Sequence, residues 1–234
     1  MLVNNCFPVG IQDVPISVAI KFCLAAGRYR YVVTPNVDHM CRIYDDSSMR
    51  RLYAGADLCV CDSKILQYIS ILKRSPIRNV VRGSDLVQQL LSSVEKGRRV
   101  FILGSTVDLG PAVAARFALE NVAIVAPDFG FEKSPQTLQS IVSQIVEFDP
   151  DLILLAVGSP RQECVAELLG ARLSRGVAVC CGNAVSFAVG SSKRSPRWMS
   201  RVGLEWLHRM FQEPRRLIPR YVGNLRIFFK ALLQ

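Results

Sequence analysis

Leu152-Ile-Leu-Leu-Ala-Val-Gly158-Ser-Pro-Arg-Gln-Glu163 decides the fold. Its unbroken apolar run reads as a strand buried on both faces, the Gly-Ser-Pro sequence as a tight turn, and the polar residues after it as a helix start. Around it, short β-rich runs at 30–33, 58–61, 100–103, 122–126 and 177–181 alternate with amphipathic helical patterns at 108–119, 135–147 and 161–174. Residues 39–53 read as one more helix. Such alternation is the signature of a parallel sheet with crossover helices. The expected fold is α/β, a Rossmann-like parallel sheet sandwiched by helices, with a basic helical C-terminal appendage.

The 234 residues, half of them hydrophobic, suffice for one full core. No apolar run reaches the roughly 18 residues of a membrane span, and the best early candidate, 16–26, is broken by Lys21. The opening residues lack the pattern of a secretory signal, so the expected address is the cytosol and the eight cysteines are expected as thiols. No CxxC pairs carry zinc spacing, and Cys59, Cys61, Cys180 and Cys181 lie inside apolar runs. They read as small core residues. The net charge of +10 is unevenly placed: residues 193–234 hold ten Lys/Arg against Glu205 and Glu213, a net +8, leaving +2 for residues 1–192. Expected boundaries follow that split, with an α/β domain at 1–192 and a basic amphipathic appendage at 193–234.

Open parallel sheets bind ligands outside the carboxyl ends of their strands, so those loops hold the candidate site. Thr34-Pro-Asn36-Val-Asp38-His39 offers a hydroxyl, an amide, a carboxylate and an imidazole to a polar ligand; Asn36 or Asp38 would equally serve as a helix cap. Asp62, at the mouth of an apolar strand, reads as a general base or as the cap of the helix beginning near Ser63. Gly158-Ser-Pro-Arg161-Gln162-Glu163 presents a helix N-terminus and a cation to a phosphate, or is an ordinary βα turn. Leu103-Gly104-Ser-Thr106 and Cys181-Gly182-Asn183 complete the rim. There is no GxGxxG fingerprint and no Walker lysine. The acid pairs Asp45-Asp46 and Asp149-Pro-Asp151 read as structural, so no tightly bound metal and no cofactor are expected.

At these loops the sequence resembles the WecG/TagA/CpsF glycosyltransferase family. The resemblance runs in order through Thr34-Pro-Asn-Val-Asp-His39, Ala56-Asp-Leu-Cys-Val-Cys-Asp62, Arg82-Gly-Ser-Asp-Leu86, Phe101-Ile-Leu-Gly104, Phe129-Gly-Phe-Glu132, Gly158-Ser-Pro-Arg-Gln-Glu163, and Arg194-Ser-Pro-Arg-Trp198 with Gly203-Leu-Glu-Trp-Leu207 and Glu213-Pro-Arg-Arg216. It implies an inverting transfer from a nucleotide sugar, usually a UDP-sugar, to a sugar already on an undecaprenyl diphosphate lipid. By the same resemblance Asp62 is the base, Thr34 and Asn36 line the pocket, Gln162 contacts the nucleotide sugar, and the tail reaches over the site to touch the membrane. Arg209, Arg215, Arg216 and Arg220 would then meet a diphosphate. Gly104, Gly158, Gly182 and Asn183 fall on the donor rim, with Arg82 near it.

The chain departs from the family pattern at three places. Asp62 is followed by Ser63-Lys64 rather than glycine; the usual arginine position is Val80, leaving Arg82 or Arg78 nearby; and the acid of a Phe-Asp-Phe sequence is Ser186, with Asn183 as the nearest polar replacement. If 197–212 is helical, Arg197, Arg201, Glu205 and Arg209 form a row beside Trp198, Val202, Trp206 and Met210, which suits an anionic bilayer interface. The expected placement is therefore cytoplasmic, peripheral to the inner face of the plasma membrane. The rival class is a nucleic-acid binder or another nucleotide-binding α/β protein, and no stacking platform or recognition motif accompanies the basic tail. Oligomeric state is left open, a homo-oligomer included.

Overall fold

In the computed structural model of the chain, the described residues are 2–192 together with Met199, Leu207, Met210, Phe211 and Arg215. A two-stranded antiparallel hairpin, β1 (Val3–Asn4) and β2 (Ile11–Gln12), comes first. Then follow α1 (Ile16–Leu24), β3 (Arg30–Val33), α2 (Val37–Asp45), α3 (Ser47–Ala54), β4 (Leu58–Cys59), α4 (Lys64–Leu72) and α5 (Gly83–Ser93). The second half comprises β5 (Arg99–Leu103), α6 (Leu109–Phe117), β6 (Asn121–Val125), α7 (Pro135–Phe148), β7 (Leu152–Leu155), α8 (Arg161–Gly170), β8 (Val177–Cys180) and α9 (Ala184–Val189). The six longer-range strands make one parallel sheet in the order β4-β3-β8-β7-β5-β6. This is the expected α/β sandwich.

Strand alternation divides the core in two. Val33, Phe101, Leu103, Ile153, Leu155, Ala178 and Cys180 face one way, against residues of α2, α3, α4, α7 and α8. Their neighbours Val32, Val100, Ile102, Leu152, Leu154, Val177 and Val179 face the other, against α1, α5, α6 and α9. Because both faces are covered, the strands are apolar after the Arg30, Arg99 and Asn121 that open β3, β5 and β6, as parallel sheets require. All eight cysteines are free thiols, and burial pushes Cys61 and Cys181 up to about 12, which keeps them neutral. The short edge strand β4 is blunted by Gln12, whose side-chain Oε1 accepts from Cys59 N at 2.6 Å.

One expected helix is two. The 39–53 pattern breaks at Asp46, which takes an extended backbone and accepts from Ser48 N and Met49 N, so it caps α3 while α2 ends at Asp45. An Asp mid-pattern competes for backbone N–H groups and favours a new start over continuation. The expected helix at 197–212 and the boundary at 193 fall mainly outside the described residues, as do Arg209, Arg216 and Arg220. The five described tail residues are helical, with Phe211 and Arg215 exposed.

At the amino ends of the strands, Asp151 pairs with Arg175 at 2.6 Å and Arg98 at 3.6 Å and accepts from Arg99 N at 3.0 Å. Burial works against its ionisation, yet the Arg99 N–H and the Arg175 guanidinium outweigh it and hold its carboxyl below the usual range. Asp13 is lowered in the same way: burial is outweighed by donors from Arg78 and Asn79. Carboxylates whose folded value lies below the unfolded one, about 3.9, stabilise the fold above that value and lose this as pH falls through the lower one. The thermal midpoint should therefore hold between about pH 7 and 5 and drop below about pH 4. Asp151→Asn should lower the neutral midpoint and flatten part of that acid limb in calorimetry; an unchanged limb would place the acid loss elsewhere.

Candidate active site

Sheet topology fixes where a ligand can enter. After β3 the chain turns to the α2/α3 face and after β7 to the α8 face, whereas after β8, which lies between them, it turns to the opposite face with α9. Loops that part on either side of one strand leave a crevice at its carboxyl end. Gly182 sits at that end, with Thr34 on the β3 side and Gly158 and Gln162 on the β7 side.

On the β3 and β4 side the ladder continues past the strands, through Val60 N to Val33 O and Asp62 N to Pro35 O, each at 3.0 Å. Val81 N then donates to Cys61 O at 2.8 Å, which brings the start of α5 to the same corner. There a methyl group added to Gly83 would lie 3.2 Å from Thr34 Oγ1 and 3.5 Å from Asp62 Oδ2. Hydroxyl and carboxylate thus converge on one small space kept open by a residue without a side chain. Thr34 is buried and Asp62 half-buried. Asp62 is not the cap of α4; Ser63 is, accepting from Leu66 N. Asn36 does cap α2, accepting from His39 N at 3.2 Å, and buried Asp38 pairs with Arg42 at 2.9 Å.

Gly83 was not singled out by sequence, although it stands in the Arg82-Gly-Ser-Asp-Leu86 segment. Gly83→Val should lower turnover about 10²-fold, since displacement of a reacting group by about 1 Å has that cost, with a thermal midpoint changed by only a few degrees. Steady-state kinetics beside a melting curve would check it, and near-normal turnover would mean that substrate does not use this space.

On the β7 and β8 side, Gln162 is fully enclosed and its Oε1 accepts from Gly182 N at 2.9 Å. Its Nε2 donates to Glu163 Oε1 at 2.8 Å, which also accepts from Tyr53 Oη at 2.7 Å. Burial, with the Glu163 carboxylate beside it, raises Tyr53 well above the usual phenol value, so it stays the donor. The chain from α3 to α8 to the β8 loop fixes the crevice wall. Arg42 adds a tie by donating to Ser159 O at 3.1 Å. Neither Tyr53 nor Glu163 stood out by type: an acid and a tyrosine inside helical patterns look like solvated-face and core residues.

The other sequence candidates are dispersed. Arg161 stacks over the exposed ring of Phe129 at 4.8 Å. Arg82 faces Asp85 at 3.6 Å. Asn183 is exposed and donates to Ser192 at 3.3 Å, at the root of the tail, while Ser186 is buried. Gly104 lies four strands from Asp62, roughly 19 Å at the usual spacing, and is packed against Leu109, Ile102 and Ile124. Among the described residues no three His, Cys, Asp or Glu side chains converge as a metal-holding group, and no helix is long and apolar enough to cross a membrane.

A parallel sheet whose strand-end loops part at a switch point, with a carboxylate set beside a hydroxyl there, places the chain among the α/β ligand-binding folds. The profile of the Glycosyl transferase WecG/TagA/CpsF family matches residues 5–234, and the chain belongs to that family. It is a glycosyltransferase of cell-wall or polysaccharide synthesis.

Proposed function

We propose that the enzyme moves a sugar from a UDP-sugar to a sugar carried on undecaprenyl diphosphate, with inversion at the anomeric carbon. The convergence of Thr34 Oγ1 and Asp62 Oδ2 on the space above Gly83 carries the reading. In one displacement Asp62 takes the proton of the acceptor hydroxyl, that oxygen bonds to the anomeric carbon, and the bond from this carbon to the UDP oxygen breaks. Thr34 and Asn36 orient sugar hydroxyls. The Gly182 and Gly158 loops hold the donor, with buried Gln162 fixing the Gly182 loop from behind, and the rim toward Gly104 gives length for its nucleotide.

The departing diphosphate gathers negative charge that donors and cations must meet. Arg82, the start of α8 and the tail arginines 209, 215, 216 and 220 are the groups proposed for this, with no metal in the mechanism. The basic sequence of the tail and the proposed lipid-linked acceptor support a location at the inner face of the plasma membrane. Turnover of a synthetic prenyl-diphosphate sugar against a panel of UDP-sugars tests the reading, with the product's anomeric configuration read by NMR. No transfer from any UDP-sugar, or a retained configuration, would overturn it.

A further inference from the structure

The net positive charge of the body falls in one stretch, between Asp62 and Asp85. Residues 63–84 hold Lys64, Lys73, Arg74, Arg78 and Arg82 with no Asp or Glu, so the rest of residues 1–192 carries a net −3. The same stretch bears an exposed apolar face: Tyr68, Ile71 and Leu72, at three- and four-residue spacing on α4, are 48%, 54% and 71% exposed. Leu2 and Val3 are exposed too, and Asn4, next to them, donates to Ser75 just beyond α4. The nearby carboxylate of Asp13 is occupied by the backbone N–H groups of Arg78 and Asn79.

We propose that this α4 corner is a second membrane contact, on the body itself, which rests on an anionic lipid surface and sets the Thr34/Asp62 site beside its lipid-linked acceptor. Exposed apolar side chains in one stretch with exposed Arg74 and Arg78 are what an anionic bilayer interface selects. Three other occupants fit worse. A second copy in a two-fold contact would set this acid-free stretch against itself. The tail, at net +8, repels it for the same reason. A nucleic acid would use the cations and leave Ile71 and Leu72 without a function. Placement agrees: Asp62 immediately precedes the helix, so at 1.5 Å per residue the face at 68–72 lies within roughly 15 Å of it along the chain. The inference rests on the lipid-linked acceptor proposed above.

The test is co-sedimentation of the full chain with phosphatidylcholine vesicles, with and without phosphatidylglycerol. Ile71→Asp/Leu72→Asp should lower partition onto the anionic vesicles about tenfold or more, through lost apolar area and added like charge. Arg74→Gln, which alters no apolar contact, should lower it about fivefold on anionic vesicles only. Both variants should melt like the parent and turn over a short, water-soluble acceptor at the parent rate. Partition is read without turnover, so it stands or falls apart from the reaction. Parental partition in both variants would leave the tail as the sole anchor and overturn the proposal. A change of oligomeric mass with parental partition would make the corner a contact between copies, and would overturn it equally.

Discussion

Asp62→Asn should reduce turnover a hundredfold or more while leaving UDP affinity unchanged. The exchange keeps the size of the side chain and removes only its capacity to take a proton, and positioned general bases contribute roughly 10²–10⁴ in rate. Two features make the residue separable from the scaffold. Ser63, not Asp62, caps α4, and the Asp62 backbone N–H is held by Pro35 O whatever the side chain. The Gly182 and Gly158 loops, proposed to hold the nucleotide, follow β8 and β7, beyond β3 from Asp62, so titration of UDP should not register the change. Single-turnover kinetics with saturating donor would isolate the chemical step. Parental turnover would remove Asp62 from the mechanism and leave Thr34 as a pocket residue without a base to serve.

The largest expected loss of stability is at the opposite end of the sheet. Gly176 enters β8 at φ +95°, and a Cβ there would lie 2.5 Å from the carbonyl oxygen of Pro150. Both partners are backbone, so neither yields as a side chain would. A left-handed conformation costs an L-residue of order 1–3 kcal/mol and overpacking typically another 1–3. Gly176→Ala should therefore cost about 2–6 kcal/mol. In a chain of this size each kcal/mol moves the midpoint roughly 2–4 °C, so a fall of about 10 °C is expected by calorimetry. A shift within a degree or two would show that the α8–β8 turn relaxes freely.

Much of the architecture was legible because it is locally encoded. The run at 152–157 is apolar on both faces, and only a strand between two helical layers has use for that. The turn and helix start at 158–163 follow from Gly, Pro and polar residues in succession, so β7, its loop and α8 appear where they were expected. Boundaries strayed where a side chain competed with the backbone. Asp46 divides α2 from α3 because its carboxylate offers the N–H groups of Ser48 and Met49 a nearer partner than the helix does. The hairpin at Val3–Asn4 and Ile11–Gln12 escaped notice because two-residue strands carry no periodicity.

The candidate site divides along the same line. That Thr34, Asp62, Gly158 and Gly182 end strands follows from the sequence alone, since each stands after an apolar run and a parallel sheet gathers such ends on one rim. The chain could not show by itself that Gly83 opens the space where Thr34 and Asp62 meet, nor that Gly104 lies four strands away. Nor could it show that Tyr53 reaches Glu163 across 110 residues to hold Gln162 against Gly182. Those relations depend on sheet order and on which face each helix covers. Both are set by packing between segments remote in sequence, while hydrophobic periodicity records only what each segment does with its near neighbours.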